Sequence, residues 1–159
     1  FGPIRLYGDA KTCSHVRNIM PYCFGDHLYP GVPKLELHNL TPHAPLCVGD
    51  LQIMPIEVMH GKMPILGFRI GSFTDMKTIG DGELPYLEGV ETLVVNALRF
   101  EKEHHSHQLV DDAVRFARRI GAKRTYITHV CHHIGLYEEA SKRMPEGVSL
   151  AYDGEVIEY

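Results

Sequence analysis

The stretch Val110-Asp111-Asp112-Ala113-Val114-Arg115-Phe116-Ala117-Arg118-Arg119-Ile120-Gly121, with the short segment Thr125-Tyr126-Ile127-Thr128 behind it, decides the fold class. Val110, Ala113, Val114 and Ala117 recur at i, i+3, i+4 and i+7, and Phe116 and Ile120 widen that face, which predicts an amphipathic helix lying against a core. Asp111 and Asp112 suit the positive end of the helix dipole, Arg118 and Arg119 the negative end, and Gly121 offers the C-terminal cap. Glu91 to Val95 reads as a buried strand before this helix, and Thr125 to Thr128 as a strand after it. The expected fold class is α/β (α+β).

Working towards the N-terminus, Ile65 to Ile70 and Ser72 to Asp75 read as short strands separated by Gly71. Val48-Gly49-Asp50-Leu51 predicts a hairpin turn feeding a strand from Gln52 to Met59. Pro55 cannot donate to a ladder, so it is expected at an edge or bulge. Ile4 to Tyr7 is strand-like, and Asp9 can cap a helix from Ala10 to Met20 that Pro21 stops. Glycine, proline and histidine crowd Tyr22 to Pro33 and predict a loop, followed by a strand from Lys34 to His38 and a second loop from Asn39 to Pro45. Towards the C-terminus a helix is expected over Leu136 to Arg143, then a hairpin of Val148 to Tyr152 and Glu155 to Tyr159 around Asp153-Gly154. With no internal repeat and no linker, residues 1–159 read as one domain.

At 44% hydrophobic and 23% charged residues the chain has the balance of an ordinary soluble globular protein. A net charge of −4 gives no footprint for nonspecific nucleic-acid binding, although a local basic patch could steer an anionic substrate. Cys13, Cys23, Cys47 and Cys131 form no C-x-x-C pair, so neither a disulfide framework nor a self-contained zinc finger is expected, and the cytoplasm is the expected compartment. No apolar run approaches the ~20 residues of a membrane span, so no membrane partner is expected.

Six of the eleven histidines gather around the decisive stretch: His104, His105 and His107 before the helix, His129, His132 and His133 after the next strand. Imidazole binds metals and trades protons near neutrality, so this pattern points to a metal-dependent hydrolytic site; a solvated histidine-rich surface is the plainer alternative. His60, Asp75, Asn96 and His129 each fall at the end of a predicted strand, where sites collect in α/β proteins. A carboxylate and two imidazoles suit zinc, manganese or iron, and Asp75 could bridge two ions. On spacing alone, Asp75 as a turn residue and His60 as a loop residue before Gly61 stay open.

Several landmarks occur jointly and in order: Val58-Met59-His60-Gly61 with Leu66-Gly67-Phe68-Arg69-Ile70, Thr74-Asp75, Asn96-Ala97-Leu98-Arg99, His104-His105-Ser106-His107 and Thr128-His129-Val130-Cys131-His132. On these the chain resembles the C-terminal portion of a metallo-β-lactamase-fold hydrolase, an αββα sandwich, and is most similar to the phosphoribosyl cyclic phosphodiesterase branch. The resemblance implies two divalent metal ions, manganese or zinc, that activate a bridging hydroxide. His60 would bind one ion, Asp75 both and His129 the other, while His107 would contact the scissile phosphate or protonate the leaving oxygen. His132 matches a ligand of a separate structural zinc, with the plain loop histidine as its alternative. His104, His105 and His133 have no assigned role. Asn96 departs from the aspartate that many relatives carry there.

The family's H-x-H-x-D-H signature does not occur in these 159 residues. Together with the opening Phe1-Gly2-Pro3, that makes a fragment lacking its N-terminal region the expectation, with little activity by itself and with the missing region or a second copy covering the exposed sheet. The expected reaction of the intact protein is hydrolysis of a small cyclic phosphodiester. RNA, nucleotide or thioester hydrolysis is the first alternative, and a non-catalytic scaffold holding adventitious metal the second.

Overall fold

The computed structural model describes residues 2–25, 28–49, 51–69, 72–73 and 76–157, and these fall into two compact units, Phe1–Ala44 and Pro45–Tyr159. In the first, β1 (Ile4–Gly8) and β2 (Leu35–Asn39) pair in parallel, and the helix α1 (Ala10–Ile19) lies between them in sequence. Asp9 starts α1 as its sequence predicts: the Thr12 N–H donates to Asp9 Oδ1 at 2.6 Å. A single 3₁₀ turn, Pro21–Cys23, follows at the start of the predicted loop.

The second unit is built on an eight-stranded mixed sheet. Its strands are β3 (Leu46–Val48), β4 (Leu51–His60), β5 (Met63–Arg69), β6 (Ser72–Phe73), β7 (Thr78–Ile79), β8 (Thr92–Asn96), β9 (Arg124–Thr128) and β10 (Val148–Leu150). They run β10-β9-β8-β6-β5-β4-β3, with β7 against β4. From β10 to β6 the neighbours are parallel, and from β6 to β3 antiparallel.

The helix α2 (Val110–Ile120) connects β8 to β9, and its Val110, Ala113, Val114, Phe116 and Ala117 are buried with Leu93, Val95 and Ile127 of those strands. Gly121 adopts φ +74°, and the Ala122 N–H reaches back to the Ala117 carbonyl at 3.0 Å, the left-handed ending the sequence predicts. At the other end the Leu109 N–H donates to the Asp112 carboxylate at 3.0 Å, fixing the entry into the helix.

Pro55 lies in the longest strand and is buried opposite Phe68 of β5, and it meets the expected edge: among the described residues the other side of β4 pairs with β3 only up to Ile53 and with β7 only from Val58. Two expectations change. The C-terminal hairpin does not form among the described residues: β10 pairs with β9 instead, and the Asp153-Gly154 turn leads into irregular chain. The last helix, α3, contracts to Tyr137–Ser141. No helix among the described residues is long and apolar enough to cross a membrane.

Candidate active site

Three chain segments converge at the strand ends of the second unit. The first is the tight β4–β5 turn: His60 pairs with Met63, and Gly61 takes φ +62°, a conformation that glycine adopts without steric cost. A β-carbon on Gly61 would lie 3.5 Å from the His105 carbonyl and 3.6 Å from Ser106 Cβ, so this turn rests on the second segment, the histidine loop between β8 and α2.

That loop is closed at its neck by backbone bonds from Leu98 N–H to the Gln108 carbonyl (3.0 Å) and from Val110 N–H to the Arg99 carbonyl (3.1 Å). Buried Gln108 adds a side-chain bond from Nε2 to the Asn96 carbonyl at 2.9 Å. The third segment, the end of β9, is tied to the first residues of the loop by Ala97 N–H to the Thr128 carbonyl (3.0 Å) and Cys131 N–H to the Leu98 carbonyl (2.9 Å). His129 follows at φ +60°, a left-handed conformation that is uncommon for a residue with a β-carbon and that concentrates at functional sites.

The result is a contiguous group of imidazoles. The ring of His107 lies 4.8 Å from that of His60, edge to face, and 4.8 Å from that of His129, stacked. His104 joins from the same loop: its ring is 4.9 Å from that of His107, and the two Nδ1 atoms are 3.0 Å apart. The Ser106 hydroxyl lies 3.3 Å from both. Burial holds the pKa of His104 below the usual histidine value, helped by the nearby charges of His105, His107, Arg99 and Lys77. His132 opens a 3₁₀ turn, His132–Ile134, and packs on His133 with ring centroids 3.9 Å apart; the charge of His132 is the main reason the pKa of His133 is lowered.

Of the residues expected to act, His60, His107 and His129 thus come together, His132 lies in the turn that follows, and Asp75 falls outside the described residues. Among the described residues no group of three or more His, Cys, Asp or Glu side chains is placed to hold a metal ion. The donor chemistry nevertheless fits one: His60 and His129 are imidazoles that two strand ends deliver against the same ring, that of His107. Asn96, a strand-end residue of unspecified use in the sequence, is fully buried and clamps the backbone beside Asp75. Its Oδ1 accepts from the Met76 N–H at 2.7 Å and its Nδ2 donates to the Met76 carbonyl at 2.9 Å. An amide serves both groups at once, whereas an ionised carboxylate only accepts. Ser106 and His104 are the residues the sequence left without a role; the i, i+3 spacing of His104 and His107 was the available signal.

Residues 2–130 match the family model of the beta-lactamase superfamily domain. The chain belongs to that superfamily. Its α/β architecture is that of the metallo-β-lactamase fold, a fold that generally binds divalent metals. The structure is similar to that of a diphosphatase from the PhnP family, with 30% identity and a TM-score of 0.86 over all of this chain and 60% of that one. Two further superfamily structures share the fold: YhfI of Bacillus subtilis, at 18% identity and a TM-score of 0.69 over 98% of this chain and 65% of that one, and human tRNase Z, short form, at 20% and 0.62 over 98% and 68%. An octanoyltransferase of Porphyromonas gingivalis is 35% identical over 95% of this chain, which spans only 31% of that protein's length.

Proposed function

We propose that the full-length protein carrying this chain is a metal-dependent phosphodiesterase acting on a small, cyclic phosphodiester. The observation that carries the reading is the contact of the His107 ring with the rings of both His60 and His129. His60, Asp75 and His129 are the proposed ligands of a manganese or zinc pair, and His132 of a separate structural zinc. The metal pair, when bound, supplies an activated water and neutralises the phosphate.

His107 supplies the remaining chemistry. As water attacks phosphorus, the bond from phosphorus to the sugar oxygen breaks, and that oxygen takes the proton from Nε2 of the His107 imidazolium. The product is a phosphomonoester, and solvent restores the proton. Such general acid catalysis is typically worth about 10²–10⁴-fold.

The PhnP-family neighbour, named a diphosphatase, supports a second reading in which the scissile bond is a phosphoanhydride. Phosphate is a better leaving group than a sugar alkoxide and needs less protonation, so the role of His107 separates the two. The name of the Porphyromonas relative describes a protein of which this chain spans under a third, and carries no acyl-transfer reading to these histidines.

The test is His107→Ala in the metal-loaded full-length protein, assayed on a ribose cyclic phosphate and on a diphosphate ester. A fall in kcat of about 100-fold or more on the cyclic diester, with metal content unchanged, supports the reading. Full activity on the diester without His107, or well-folded protein that binds no metal, overturns it.

A further inference from the structure

Two imidazole nitrogens 3.0 Å apart need one proton between them, and at His104 and His107 the ring that owns it can be deduced. The backbone N–H of Ser106, which can only donate, is directed at His104 Nδ1 at 3.4 Å. His104 Nδ1 therefore presents a lone pair, and the shared proton sits on His107 Nδ1. The Ser106 hydroxyl, 3.3 Å from each nitrogen, is compatible with this assignment, since its oxygen can accept from His107 Nδ1–H. Ser106 is buried, and a β-carbon on Gly61 would lie 3.7 Å from its Cα and 3.6 Å from its Cβ, so the Gly61 turn leaves little free space beside the hub of this arrangement.

We propose that His104 is a positioning residue that holds His107 in its Nδ1–H tautomer and leaves Nε2 as the nitrogen for proton transfer. This rests on the role given to His107 above. A ring bonded through Nδ1 cannot flip about χ2, which would put a carbon in place of each nitrogen, without breaking that bond. The neutral ring left after Nε2 gives its proton to the leaving oxygen is also the tautomer His104 already favours, so the step ends without rearrangement. For this His104 must stay neutral; its burial and the cationic groups near it, Arg99 and Lys77, act in that direction.

Two variants of the full-length protein test the assignment. His104→Phe keeps a ring but loses the acceptor, and His104→Asn replaces the acceptor with Oδ1 near the position of Nδ1. In the metal-free protein, ¹⁵N chemical shifts of His107 should report the Nδ1–H tautomer, a shift toward Nε2–H in His104→Phe, and a return to Nδ1–H in His104→Asn. In the loaded protein, His104→Phe should lower kcat about tenfold or more with KM within about twofold, and His104→Asn should restore most of the loss. An unchanged tautomer in His104→Phe, or a loss in His104→Asn as deep as in His104→Phe, overturns the proposal. If His107→Ala proves fully active, the reading of the site fails, while the tautomer measurement, which needs no turnover, still decides whether His104 orients His107.

Discussion

The imidazole of His107 lies against that of His129 with ring centroids 4.8 Å apart and planes 22° from parallel, so a side chain from the loop before α2 and one from the end of β9 share a single small volume. His60 meets the same ring edge-on from the other part of the sheet. A paramagnetic cation taken up by His60 and His129 must therefore be felt by all three. Titrating manganese into the full-length protein should broaden the ring-proton signals of His60, His107 and His129 together. Broadening of one of them alone would contradict the grouping.

The backbone of His129 is a second source of predictions. At φ +60° a residue with a β-carbon carries roughly 1–2 kcal/mol of conformational cost that glycine does not. His129→Gly and His129→Ala both remove the imidazole, so their difference isolates the backbone. His129→Gly should be the more stable of the two by about 1 kcal/mol in chemical denaturation, and His129→Val, β-branched, the least stable. Equal stabilities would mean that the left-handed conformation is not retained.

Asn96 holds the Met76 N–H and carbonyl in the interior of the second unit. Asn96→Ala leaves both without partners in a dry environment, and leaving a buried polar group unsatisfied costs about 1–3 kcal/mol. Because Met76 follows Asp75 directly, metal affinity should fall with stability. A variant that loses stability but keeps its metal affinity would separate the clamp from the site.

In the first unit the Thr12 N–H stabilises the charged form of Asp9 and lowers its pKa from the usual 3.8. A depressed folded-state value means that the cap contributes fully above the unfolded value and is lost as pH falls through the folded one. Asp9→Ala should cost about 1 kcal/mol at neutral pH. Measured down an acid series, the stabilities of wild type and variant should converge below the usual carboxylate range. A constant gap would show that the carboxylate charge is not what caps α1.

The sequence made some of this plain and hid the rest for physical reasons. The helix α2 was legible because its apolar face repeats at helical period, and β8 and β9 because runs such as Leu93-Val94-Val95 have few other stable fates. The strands β3 and β7 are three and two residues long, too short to show any period, and the 3₁₀ segment Asp81–Leu87 contains Pro85, which ordinarily argues for a loop. The C-terminal segment misled because Asp153-Gly154 does make a turn, but the open edge of β9 offers Val148–Leu150 a better partner than the chain beyond the turn. At the site, His60 and His129 stood out at the ends of predicted strands, whereas His107 was singled out by the family resemblance. What no linear reading supplies is that Ser106 turns its N–H toward His104, since that depends on how the loop closes on itself.

The sheet changes from parallel to antiparallel at β6, which among the described residues pairs with β8 through Ser72 and Phe73 and with β5 through Ser72. His60 belongs to one side of that seam, and His107 and His129 to the other. A cation shared across it would act as a rivet between the two parts of the sheet, added to the core that Ile56 and Val58 share with Leu93 and Val95. Metal occupancy would then be as much a measure of whether the sheet has zipped shut as of the affinity of any single imidazole.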